Sequence, residues 1–152
     1  MKTIYIIIFL LISSFTQAQS QRSLEDTKSY IVKMINENAW EENSDKRRLR
    51  AEFQGDLLRI VAMNSDYSKP LSSGIVYNFG NIYKYKDPIK KPGDIAHIII
   101  WLDYLYDEKT GQWKKDAFDF DVHNYEAAEQ LMIAFRHLNQ LLIAKKPQIE
   151  KF

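Results

Sequence analysis

Three sets of residues in this chain have the types and spacing for chemistry. Asp119, Asp121 and His123 alternate along one stretch, with Asp103 as a further acidic group. Alternation places them on one side of a strand, where carboxylates and an imidazole suit a cation. Neighbours two apart on a strand stand about 7 Å from each other, so consecutive members do not close one coordination sphere. The expectation is a solvated face that ends at a helix cap, with no metal and no cofactor. Lys46, Arg47, Arg48 and Arg50 form a basic run, and Arg59 falls on the segment that would pair with it. Such a run can hold a phosphate or an acidic glycan, or simply charge the outer face of an exposed strand. Trp101, Tyr104, Tyr106 and Trp113 surround Thr110-Gly111. Of these, Tyr104, Tyr106 and Trp113 are the favoured binding residues, because aromatic anchors dominate recognition of peptide or sugar. Core packing and cross-strand pairing are their alternative use.

Other chemistry is missing its materials. His97, His123 and His137 form no His-Glu-x-x-His motif, and there is neither a Gly-x-Ser-x-Gly elbow nor a glycine-rich phosphate loop. The chain has no Cys, which removes disulfides, thiolate nucleophiles and thiolate zinc sites together. A non-enzymatic binding domain with a protein, peptide or glycan partner is therefore expected. The rival is a small exported hydrolase or lipid-binding enzyme that uses His97 or His123. A cleft in which a histidine meets Asp or Ser within hydrogen-bond reach would tell them apart.

The elements that must position these residues follow from period. Leu24, Thr27, Ile31, Met34 and Ile35 recur at helical spacing behind Ser23, which predicts a helix over residues 24–36. Residues 36–45 are polar and read as a loop. Leu49, Ala51 and Phe53 alternate with charged residues; Gln54-Gly55-Asp56 is a turn, and residues 57–63 return as a second strand. Residues 74–79 and 82–85 are two short strands, or one bent at Gly80-Asn81. Pro88, Pro92 and Gly93 mark residues 86–94 as a loop. Residues 95–106 form the longest strand, apolar on both faces, so both need cover. The closing helix is expected over one face and the first helix over part of the other. In residues 113–122, Phe118, Phe120 and Val122 face inward. Asn124 then caps a helix whose stripe runs through Ala128, Leu131, Phe135, Leu138 and Leu142 to Lys145-Lys146 and Pro147.

The start of the chain adds an address. Lys2, an apolar run over residues 4–12, and Thr16 and Ala18 before Gln19 follow the order of a secretory signal peptide. The run is shorter than the roughly 20 residues a membrane-spanning helix requires. Export to the periplasm or beyond is expected, with residues 1–18 removed and no transmembrane segment in the mature form. Of the 152 residues, losing 18 leaves 134, with Lys and Arg equal to Asp and Glu. Zero formal charge gives no general pull toward nucleic acid. Residues 19–45 would hold a leader, the first helix and the polar loop; residues 46–146 would form one α+β domain, and residues 147–152 a tail.

One helix, about six antiparallel strands in successive hairpins and a closing amphipathic helix resemble the pleckstrin-homology-like fold. The resemblance covers residues 46–146. It rests on the hairpin over residues 47–63, the pattern Val76-Tyr77-Asn78-Phe79-Gly80-Asn81-Ile82, and the last strand running into Tyr125-Glu126-Ala127-Ala128-Glu129. It implies a bent sheet or small barrel with the final helix plugging one end, as in small exported bacterial proteins of this shape. It also implies that basic residues on the first hairpin, here Lys46, Arg47, Arg48, Arg50 and Arg59, can meet an anionic ligand. Cystatin-like and nuclear-transport-factor-like rolls are the alternatives, but those place their long helices before the sheet.

Overall fold

The computed structural model describes residues 23–147, apart from the side chains of Leu105 and Asp107. The predicted signal segment and most of the tail lie outside the described residues. Helix α1 spans Leu24–Asn38. Ser23 caps it: its hydroxyl accepts from the Asp26 backbone N–H at 3.1 Å, and its own backbone N–H donates to the Asp26 carboxylate at 3.3 Å. This reciprocal pair satisfies two backbone donors that the first turn cannot use internally. Seven strands follow: β1 (Ala39–Trp40), β2 (Arg47–Gln54), β3 (Leu57–Asn64), β4 (Ile75–Tyr85), β5 (Ile89–Lys91), β6 (Ile95–Asp107) and β7 (Gln112–His123). Helix α2 (Tyr125–Lys145) ends the domain, with the Asn124 side chain accepting from the Ala127 N–H at 2.9 Å.

The strand order is β4-β3-β2-β1-β7-β6-β5, and β4 also pairs with β6. That last pairing closes six antiparallel strands into a barrel, with β5 as an extra strand. Strand β6 makes closure possible by length: Ile95, Ala96 and His97 pair with β5, while residues from Ile100 to Tyr104 pair with β4. The α+β class, the helix before and the helix after the sheet, and the bent β4 agree with the sequence reading; β4 shifts register between Asn78 and Ile82.

Two strands depart from it. Strand β1 lies in the segment read as loop, and it bridges β2 to β7 through Trp40↔Arg48 and Ala39↔Val122. Strand β5 sits between Pro88 and Pro92, in the segment read as strand-free. Proline lacks an N–H, so it bounds a short edge strand without breaking the ladder inside it.

Inward residues of every barrel strand meet in one core: Leu49, Ala51, Leu58, Ile60, Tyr77, Phe79, Ile98, Ile100, Phe118 and Phe120 among them. Helix α2 inserts Phe135, fully buried, at 4.8 Å from the Phe79 ring and edge-on to Phe118 and Phe120. The first helix corrects an expectation. It packs on β2 and α2 and adds Ile31 and Ile35 to the same core, instead of covering the outer face of β6. That outer face carries His97 and Asp103, each only 5% exposed, so its cover is polar.

Candidate functional site at the open end of the barrel

Along β2, β3 and β4, one end of each strand faces the helices. Asp56 in the β2–β3 turn receives Lys28 of α1 at 2.8 Å and Lys145 of α2 at 2.5 Å. On β4, Asn139 of α2 donates to the Phe79 carbonyl at 2.6 Å and Lys146 to the Gly80 carbonyl at 3.1 Å. Among the described residues, no helix lies over the other end of the same strands. There, a cavity of about 730 Å³ opens between β2, β3, β4 and β7.

Its floor is apolar and belongs to the barrel interior: Leu49, Ile60, Tyr77 and Phe118. Leu71 and Ile75 stand at the mouth, 49% and 41% exposed. Glu41, Glu42, Arg47, Ser72, Ser73 and Asp119 supply the polar lining. Gly74 lets the β3–β4 connection pass close to β3. Its φ is +87°, and a Cβ there would meet the Ile60 carbonyl oxygen and Val61 Cγ2 at 2.9 Å, so the position requires glycine. Burial raises the Tyr77 hydroxyl above its ordinary pKa, and the Asp119 and Asp116 charges add to the effect. The phenol stays neutral, a donor and acceptor at an otherwise apolar floor.

Beside this cavity lies a polar cluster assembled from four separate segments: β5, β6, β7 and the Glu41–Asn43 loop. His97 on β6 faces Asp121 on β7 across the hairpin, with Nδ1 at 3.0 Å from Oδ1. Asp121 also accepts from Lys91 Nζ at 2.7 Å and from the Asn43 backbone N–H at 3.0 Å. Burial alone would raise its carboxyl pKa. The hydrogen bonds from Lys91, Asn43 and His97 outweigh that, and the net shift is downward. Asp121 is therefore ionised and acts only as an acceptor. On the other side of the imidazole, Nε2 stands 3.7 Å from Glu42 Oε1. Asp119 completes the group: donor atoms of Glu42, His97 and Asp119 all lie within 4.8 Å of one another. Burial, with the nearby Glu42 carboxylate, raises the Asp119 carboxyl, and His97 opposes the shift.

No family model, curated protein or solved structure matches this chain. The site therefore has to be read from its own geometry.

That geometry redistributes the residues singled out by spacing. Asp119, Asp121 and His123 do share the outward side of β7, but they part company. Asp121 is 5% exposed and not solvated, and His123 stacks on Trp40 at 4.7 Å between ring centres. Asp103 does not lie near them; its register partner is Lys115, and it accepts from Asn81 at 2.8 Å and from the Tyr83 hydroxyl. The basic run also disperses. Lys46 is exposed. Arg47 pairs with Glu41 at 3.0 Å on the cavity rim. Arg48 donates to the Asn36 carbonyl at 2.8 Å, at the C-terminal end of α1, with its guanidinium 4.7 Å from the Tyr67 ring. Arg50 is half-buried, and Arg59 pairs with Glu52 at 2.5 Å. Among the aromatics, Tyr104 stacks on Tyr77 at 6.4 Å, at the edge of the core. Tyr106, 52% exposed, leans on half-buried Trp113 at 5.4 Å, beyond a register shift that separates it from Tyr104. Trp101 packs under Lys84.

Glu42 is the residue sequence reasoning passed over. Counting outward from the hairpin turn at Thr110-Gly111 sets His97 opposite Val122; the register shift between Tyr104 and Tyr106 moves Asp121 into that place. Nothing in the spacing places the Glu41–Asn43 loop against that pair.

Proposed function

We propose that this is an exported, pleckstrin-homology-like binding domain without catalysis, which takes a small ligand in the open end of its barrel. The order of basic, apolar and small residues before Gln19 supports export. The helix-plugged barrel supports the pleckstrin-homology-like reading. One observation carries the binding site: a cavity of about 730 Å³ with an apolar floor and a polar rim. Barrel mouths of this size and lining are where small ligands bind. Three rim carboxylates, Glu41, Glu42 and Asp119, face one guanidinium, Arg47, so the rim favours an apolar body with a neutral or cationic head. The exposed ring of Tyr106 leans on Trp113 at an angle of 54°, and neither residue lines the cavity.

A second reading, hydrolysis by an activated water, draws on the 3.0 Å contact between His97 and Asp121. Binding is preferred because His97 lies behind Glu42 and Asp119 and does not line the cavity.

The test uses N-phenyl-1-naphthylamine, an uncharged apolar fluorophore, in buffer containing a chelator. Its emission should rise on binding to the wild type and lose at least about tenfold in affinity with Leu71→Asp and Ile75→Asp combined. Anionic anilinonaphthalene sulfonate should bind more weakly than the uncharged probe. Emission that survives the double variant, or that needs Tyr106 and Trp113 instead, would overturn the assignment.

A further inference from the structure

We propose that Glu42, His97 and Asp119 form a binding site for a divalent first-row metal ion of the zinc class. The inference is independent of what occupies the cavity. Donors in a tetrahedral zinc site stand about 3.3 Å apart when each bond is about 2.0–2.1 Å. Here, three donor atoms already lie within 4.8 Å of one another, and the imidazole Nε2 is 3.7 Å from Glu42 Oε1. The remaining approach falls to Glu42 and Asp119, whose side chains are exposed and able to swing. His97, 5% exposed, is held in place.

The imidazole is what separates this cluster from a chance meeting of two carboxylates. Nδ1 is engaged by the Asp121 carboxylate at 3.0 Å and is not the nitrogen left for a metal. The other ring nitrogen, Nε2, lies on the side of Glu42 and Asp119, 3.7 Å from Glu42 Oε1. A carboxylate behind a metal-binding imidazole fixes its tautomer and makes it a better ligand. Asp121 is itself anchored by Lys91 at 2.7 Å and by the Asn43 N–H at 3.0 Å. The Glu41–Asn43 loop therefore contributes twice, through Glu42 as donor and through Asn43 as the support of the residue behind His97.

The donor set states the class of ion. One imidazole nitrogen with two carboxylates suits Zn²⁺, Mn²⁺ or Fe²⁺. Ca²⁺ and Mg²⁺ prefer all-oxygen shells, and copper(I) prefers thiolate or thioether. Three protein donors leave a position for water or for a ligand atom. Glu42 and Asp119 both line the cavity, so an ion held by them would border it.

The experiment is calorimetric titration of chelator-treated full protein with zinc chloride, paired with the visible absorption spectrum of the Co²⁺ form. One equivalent of Zn²⁺ should bind. Co²⁺ should give d–d bands of a low-coordinate site, bleached by Zn²⁺ and unaffected by a tenfold excess of Ca²⁺. Glu42→Gln and Asp119→Asn, both at exposed positions, should each weaken binding by roughly tenfold or more, and the pair should abolish it. Asp121→Asn should weaken it by about 10–100-fold while leaving the three donors present. His97→Gln should abolish it, with thermal melting of metal-free protein used to confirm that the variant is folded. The proposal is overturned if folded wild type takes up no stoichiometric Zn²⁺, if binding persists in the Glu42→Gln, Asp119→Asn double variant, or if Ca²⁺ binds as well as Zn²⁺.

Discussion

The two ends of the barrel are made from the same strands and closed in opposite ways. At the helix-covered end, Phe79, Phe118, Phe120 and Phe135 pack ring against ring, and Asp56 ties Lys28 of α1 to Lys145 of α2. At the open end the same interior surface continues through Leu49, Ile60 and Tyr77, where, among the described residues, a loop and a short connection stand over it. The contrast teaches a division of labour. Apolar surface that meets α2 is converted into stability by burial. Apolar surface left at the mouth remains available to a ligand, and the polar side chains around it are free to be chosen for chemistry.

The comparison breaks if damage at one end is felt equally at the other. The largest effect is expected at the closed end. Phe135→Ala removes a fully buried ring from the aromatic cluster and should cost about 3–5 kcal/mol in urea denaturation. The surviving folded fraction should bind N-phenyl-1-naphthylamine with unchanged affinity. A loss of affinity in the folded fraction would mean that the helix, too, shapes the mouth.

A smaller effect belongs to Asp56. The hydrogen bond from Lys145, then that from Lys28, holds its carboxyl below the ordinary value of 3.8. A carboxyl with a lowered folded pKa stabilises the fold above its unfolded pKa, and that stability is lost as pH falls through the folded value. Asp56→Asn should therefore lower stability at neutral pH and flatten the acid limb below about pH 4, so that the two proteins converge in acid. Urea titrations from neutral pH down to about pH 2 measure this convergence. A constant difference across that range would remove Asp56 from the ties between the helices.

The smallest effect on stability sharpens the contrast from the open end. Leu71 and Ile75 are exposed at the mouth, so Leu71→Asp or Ile75→Asp should move folding free energy by no more than about 0.5 kcal/mol. The same substitutions should cost the probe most of its affinity. A large loss of stability would show that the mouth is core after all.

Sequence legibility follows the same line. The closed end was readable because helix α2 and strands β2, β3, β6 and β7 are long enough to show their period, and Phe135 falls in the middle of its stripe. Strands β1 and β5 were not, since two or three residues carry no period. Yet β1 is the link that joins β2 to β7 around the barrel. The open end was legible only in pieces. Asp119 and Asp121 were visible as an alternating pair, but alternation cannot say that Asp121 is buried under Lys91 and Asn43. His97 read as one scattered histidine because its partners stand far away in the chain. Arg48 counted as part of a basic patch, although its guanidinium serves carbonyls at the end of α1. In each case the missing information is a long-range contact, fixed by barrel closure and loop path and not by local pattern.

The most direct test of the open end as the binding site is methyl NMR of isotope-labelled protein with N-phenyl-1-naphthylamine. Intermolecular nuclear Overhauser effects are expected from the probe's rings to the methyls of Leu49, Ile60, Leu71 and Ile75, and none to Leu131 or Leu138 on the buried face of α2. Contacts confined to the Tyr106 and Trp113 rings, or to the exposed Ile133 and Ile143 of α2, would contradict it.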